Sequence, residues 1–233
     1  MIELLHYPLD ANSRTARMLI AECGKPMVLK EERVWERRVE FLTVNPAATL
    51  PIMVEDGGDP ICGINAISHY FFETYTSENL DAKAWKILPD DLAERAEVRR
   101  LVDWFDQKFA QEVTVNIVGE KIIRRFTPDE LGGGPPDMKV IHVGSSNIKI
   151  HLRYIEYLLQ TRDWLAGQSM SWADLSAAAH LSCVDYLGHV PWDDFATAKD
   201  WFVRIKSRPS FRPLLSDRIP GAPPAAHYVD LDF

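Results

Sequence analysis

The chain is poor in several things, and each shortage removes a class of protein. Cysteine is scarce: Cys23, Cys62 and Cys183 are odd in number, far apart and never in Cys-x-x-Cys order. A disulfide framework or a zinc site is therefore not expected, and a reducing cytoplasm is. The seven histidines supply no His-x-His or His-x-x-x-His pair on one element, so no metal is expected. Basic residues are outnumbered, 26 Lys and Arg against 34 Asp and Glu, for a net charge of −8. That balance disfavours a general nucleic-acid binder and leaves room only for a local basic patch. No apolar run is long enough to span a bilayer, so membrane insertion is not expected. The acidic start, MIELLHYPLD, lacks the basic leader region of a signal peptide. What is present is ordinary for a soluble globular protein: 46% apolar and 26% charged residues over 233 positions, enough for one large or two small domains.

The organisation changes character about a third of the way along. Ile2–Leu9 is a short apolar run ended by a proline, which predicts a buried strand. Ala16, Leu19, Ile20 and Cys23 fall at helical spacing, and Gly24 with Pro26 stops that helix. Further strands are predicted over Met27–Val34, in LPIMVED from Leu50, and over Pro60–Cys62, followed by a helix over Asn65–Tyr75. Beyond residue 80 only helical stripes recur. One runs through Val98, Leu101, Val102, Phe105 and Phe109, another through Ile148, Leu152, Ile155 and Leu159. SWADLSAAAHLSCVDYL and FATAKDWFVRIKS read as two more helices, and the Gly- and Pro-rich Phe126–Lys139 as a loop. The expected layout is an α/β domain at 1–78, a linker at 79–91, an all-α domain at 92–216 and an extended C-terminal tail at 217–233. One helix start is well specified: Ser171 at the N-cap and Asp174 three residues on form a capping-box variant, with Met170 and Leu175 as a hydrophobic staple.

Together, the Leu-Pro step in NPAATLPIM, the helix start in GINAISHYF, the Ser171–Asp174 box and the later SRPSF resemble the glutathione transferase superfamily over roughly residues 2–215. The resemblance implies a thioredoxin-like domain followed by a helical one. It also implies that the Leu50–Pro51 peptide is cis, with an exposed backbone that pairs with the cysteinyl part of glutathione.

The slots that such chemistry needs are altered. The position for a hydroxyl or thiol after the first strand falls at or near Asp10. A carboxylate about 4 Å from a thiolate costs roughly 4 kcal/mol at an effective dielectric of 20, which opposes thiolate formation. Tyr7 or Ser13 can fill the role only if the loop is shifted. The Glu/Gln-Ser pair expected at the next helix start reads Gly63-Ile64, ahead of Asn65, and Ile64 has no side-chain donor. A lost hydrogen bond to a charged group costs about 1.5–3 kcal/mol. The polar residue before the Leu-Pro step is Thr49. The expectation is a decayed glutathione pocket at Asp10, Leu50, Pro51, Gly63, Ile64 and Asn65, with no catalytic residue and no cofactor. The alternative is a divergent glutathione S-transferase that conjugates glutathione to small electrophiles.

Three features are surplus to that fold. Trp35, among Glu31, Glu32, Glu36, Arg37 and Arg38, has the composition of a binding hot spot, or else folds back onto its own domain. Lys121, Arg124 and Arg125 give a basic run in an acidic chain, either a partner site or a solvated helix end. The tail PGAPPAAHYVDLDF offers Tyr228, Leu231 and Phe233 as apolar anchors beside Asp230 and Asp232. It fits a short linear motif for a partner, or a segment that docks on its own helical domain. A transferase-like fold with these features resembles a group of bacterial division proteins that bind the tubulin homologue FtsZ. That resemblance implies a cytoplasmic homodimer at the division site. Such a protein acts on FtsZ filaments as an adaptor linked to cell-wall synthesis, with the tail available to a further division protein. A third reading, an apolar ligand held between the domains, calls for a roomy cleft lined by both.

Overall fold

The computed structural model describes residues 1–75 and 87–231. The chain divides into two compact units, Met1–Trp85 and Lys86–Phe233. Of the expected linker, residues 79–86 lie outside the described residues.

The first unit is a four-stranded mixed sheet with helices. Strands β1 (Ile2–His6), β2 (Met27–Glu31), β3 (Ile52–Glu55) and β4 (Ile61–Cys62) lie in the order β2-β1-β3-β4. β1 runs parallel to β2, with Ile2 opposite Met27, and antiparallel to β3, with Leu4 opposite Met53. The parallel pair needs a crossover, which helix α1 (Ala11–Glu22) supplies. Ala16, Leu19 and Ile20 of α1 are fully buried, as their spacing predicts. The helix starts earlier than its apolar stripe because the Asp10 carboxylate caps it, accepting from the Ser13 N–H at 2.7 Å. A six-residue helix α2 (Val39–Val44) left no trace in the apolar pattern, since it buries Phe41 alone. Helix α3 (Ile64–Tyr75) follows β4.

The second unit is helical, with no strand longer than an isolated bridge among its described residues. Helix α4 (Leu92–Asp103) is capped by Asp91 and runs on through a wider, π-wound stretch, Trp104–Ile123, into a closing turn α5 (Arg124–Phe126). Helices α6 (Met138–Leu159), α7 (Trp172–Tyr186) and α8 (Ala196–Lys206) complete it. Every residue of α7 is buried, most of them small or apolar, with Asp174, His180 and Asp185 among them. α6 packs closely on the π-wound stretch at Gly144, where a Cβ would come within 2.8 Å of Ile117. The loop expected at Phe126–Lys139 is shorter than that, because α6 begins at Met138 and a 3-10 turn forms at Asp129–Leu131.

The box at the α7 start does more than cap. The Asp174 carboxylate is wholly buried and accepts from Ser171 N–H and hydroxyl (2.9 Å each), Leu165 N–H (3.0 Å) and the Trp201 indole N–H (2.9 Å). Burial pushes this carboxyl up from its ordinary value, and the four donors oppose that push. It thus ties together the loop before α7, α7 itself and α8.

A second buried polar group makes the helical unit sensitive to acid. His151 on α6 is fully buried. Its Nδ1 accepts from the Trp104 indole N–H at 3.1 Å, which places the ring proton on Nε2, 3.0 Å from Glu112. Burial lowers its pKa from 6.5, with Glu112 opposing. A lowered histidine favours the folded state above the unfolded value, and that contribution is lost as pH falls below 6.5. Melting temperature is therefore expected to drop between pH 7 and pH 5, and His151→Phe should flatten that slope. An equal slope in the variant would remove His151 as the cause.

The C-terminal segment corrects the expectation of an extended tail. Ile219 bridges to Ala222, the Ala225 N–H donates to Tyr186 O at 2.8 Å, and a 3-10 turn forms over Ala226–Val229. The last carbonyls of a helix lack partners within it, and α7 finds one of them in this segment. Tyr228 is 0% exposed.

Candidate functional site

The glutathione slots are formed in part. Leu50–Pro51 is cis, and Pro51 O accepts from Gly63 N–H at 2.9 Å, which holds the start of α3 beside the loop. Gly63 has φ +89°, a conformation that favours glycine. Ile64 opens α3 as a buried residue, whereas Asn65 points to solvent. Asp10 is engaged as the α1 cap, at the helix end where a negative charge is favoured. Ser13 is completely buried, and its hydroxyl accepts from the Tyr7 N–H at 3.4 Å. Tyr7 is itself buried, with its ring edge-on to Trp35. The two residues considered as substitutes for the missing hydroxyl are thus core residues.

Trp35 sits in a 3-10 turn, Val34–Glu36, that follows β2. Its ring meets Tyr7 at 4.9 Å and 87°, which leaves it half-buried rather than fully in solvent. The ring thus folds partly back onto its own domain. The turn is fixed by ion pairs on either side. Arg33 bridges Glu31 and Glu36, and Arg38 pairs with the buried carboxylate of Glu32. Glu31, Glu32, Arg33, Glu36 and Arg38 surround a shallow charged depression of about 360 Å³.

The residues expected at a partner surface in the helical unit are divided. Arg124 is committed to Glu120 on the preceding turn, at 3.1 Å. Arg125 is exposed and donates to Gly221 O at 2.8 Å, so it fastens the C-terminal segment to the end of the long helix. Tyr228 is not a surface anchor. It stands 5.1 Å from the Tyr186 ring and donates to Leu214 O at 3.3 Å. Beside it, Asp185 Oδ1 accepts from the Trp192 indole and faces His227 Nε2 at 2.8 Å. Lys206 is buried against the same segment, 3.5 Å from His227 O. Burial pushes its ammonium down to about 8, opposed by Asp185 and Asp230. Asp230 is exposed and Leu231 half-exposed, so both remain on the surface. Asp232 and Phe233 lie outside the described residues. Sequence reading missed Lys206, Asp185 and His227, which carry no motif and meet only through folding. No group of three or more His, Cys, Asp or Glu is arranged to hold a metal among the described residues. No helix among them is long and apolar enough to cross a membrane.

Residues 11–74 match the glutathione S-transferase N-terminal domain, and residues 145–209 match the C-terminal domain. A crystal structure of a glutathione S-transferase from Sinorhizobium meliloti 1021 superposes with a TM-score of 0.94 at 45% identity, covering 100% of both chains. The chain belongs to the glutathione S-transferase family. It is also 48% identical to the FtsZ-localized protein A of Caulobacter vibrioides, over 99% of this chain and 97% of that protein. The structure of FzlA from C. crescentus matches with a TM-score of 0.89 at 46% identity, over 100% of this chain and 99% of the other. The thioredoxin-like sheet and the all-helical second unit are those of the family.

Proposed function

We propose that this glutathione S-transferase family member is an FtsZ-associated protein of bacterial division that works by binding and not by catalysis. The observation that carries the reading is the 48% identity to FtsZ-localized protein A along nearly the whole of both chains. The glutathione slots support it: Asp10 is used as a helix cap, Ile64 replaces a donor, and Ser13 is buried. In this reading the protein is a cytoplasmic homodimer at the division site that links FtsZ filaments to cell-wall synthesis. Two copies of a weak site gain avidity on a repeating polymer. Trp35 is the contact anchor of the first unit. Asp230, Leu231, Asp232 and Phe233 offer an acidic, apolar end to FtsZ or to a further division protein.

Co-sedimentation with GTP-polymerised FtsZ tests the reading. The wild type is expected to pellet with polymer at micromolar concentration. Trp35→Ala is expected to weaken that binding by about tenfold or more, the scale of a contact hot spot, while leaving the fold intact by circular dichroism. Absence of the wild type from the pellet would sink the proposal. A second reading, a glutathione-conjugating enzyme, is favoured by the 45% identity to the Sinorhizobium meliloti structure. Micromolar glutathione binding, or conjugation of an aromatic electrophile, would decide for it.

A further inference from the structure

The basic run at the end of the long helix borders an open cleft that the division reading does not use. Lys121 and Arg125 line a space of about 600 Å³ together with an apolar wall, inside the range of small-molecule sites. Its walls belong to the helical unit alone. We propose that this cleft binds a small amphiphilic organic anion, a carboxylate carried on a compact apolar body.

The charge is the first argument. Lys121 is half-buried and pairs with no acid among the described residues, and none of the residues lining the cleft is acidic. Burial lowers its pKa, the sign of an ammonium partly withdrawn from solvent. Arg125 gives one N–H to Gly221 O and has no carboxylate partner among the described residues. The adjacent acid, Glu120, is already engaged by Arg124 and by the Asp137 N–H. Burial lowers the pKa of His189, and the nearby Lys121 charge lowers it further. An anion placed between Lys121 and Arg125 supplies the missing counter-charge.

The walls are the second argument. Ile122, Pro135, Pro136, Leu187, Ala222 and Pro223 are apolar, so they favour a ligand with an apolar body over a bare inorganic ion. They are also fixed before any ligand arrives. Gly134 N–H donates to Arg124 O, and Gly133 N–H to Pro128 O. A Cβ on Gly133 would lie 1.8 Å from Thr127 O, so only glycine lets the loop return this closely. Ala222 O accepts from the Tyr186 hydroxyl at 2.9 Å, and Arg125 holds Gly221. A preformed site loses less ordering entropy on binding.

Titration of the full chain with 3-phenylpropionate, followed by calorimetry and amide chemical shifts, tests the site. Binding below about 1 mM is expected for a ligand of this size, with shifts centred on Gly134, Leu187 and Ala222. The neutral 3-phenylpropan-1-ol and the bodiless acetate should each bind about tenfold more weakly. Lys121→Gln should lose about tenfold in affinity for 3-phenylpropionate, the scale of one charge-assisted hydrogen bond, with its melting temperature unchanged. Absence of binding up to roughly ten times that concentration, equal affinity for the alcohol, an unaffected Lys121→Gln variant, or shifts confined elsewhere would each overturn the proposal.

Discussion

Replacing Tyr228 by alanine is expected to destabilise the helical unit by about 3–5 kcal/mol, the range for deleting a fully buried aromatic. For a unit of this size the melting temperature should fall by roughly 10 °C. The argument rests on burial and on partners: Tyr228 is 0% exposed, lies against Tyr186 and donates to Leu214 O. Deleting the ring leaves a cavity lined by Tyr186 and Lys206, beside the Asp185–His227 contact. Tyr228→Phe separates the two components. It keeps the packing and loses one hydrogen bond, for about 1 kcal/mol. Thermal melts followed by circular dichroism read both variants. If Tyr228→Ala melts like wild type, the C-terminal segment is not docked in solution, and its first residues return to the pool of partner contacts.

An equally large loss is expected from Asp174→Ala. Four donors converge on that buried carboxylate, from Ser171, Leu165 and Trp201. Removing the acceptor strands them in a fully buried region, and each buried unsatisfied group costs about 1–3 kcal/mol before relaxation. A total of about 3–5 kcal/mol is expected, as for breaking a buried charged network. Asp174→Asn keeps the shape but turns part of the acceptor into a donor, so it should be intermediate. The readout is equilibrium urea denaturation of each variant. Loss below about 1 kcal/mol in Asp174→Ala, no more than an ordinary helix cap contributes, would mean that the network is not formed.

Much of this was open to reading in the sequence, for local reasons. Apolar spacing marked β1, α1, α3 and the helices of the second unit, because period and burial face are properties of neighbouring residues. The capping box at Ser171 and Asp174 was legible because its two members lie three residues apart. The altered slots at Asp10 and Ile64 were legible once the Leu50–Pro51 step and the α3 start fixed the register. Helix α2 was not, since one buried residue, Phe41, makes no period. The roles of Ser13 and Tyr7 were not either, because their spacing does not say that both are buried.

The residues by themselves determined the family layout, the loss of the donor at Ile64 and the surplus of charge around Lys121 and Arg125. Only the tertiary structure decided what the C-terminal segment does. Its composition fits a free motif and a docked strap equally well, because anchors such as Tyr228 serve either. The choice was made by distant groups: a spare carbonyl at the end of α7, the Tyr186 hydroxyl, and the Arg125 guanidinium 96 positions before Gly221. Burial of Tyr228 against them outweighs the entropy of a free end, and no window of sequence contains both sides of that balance.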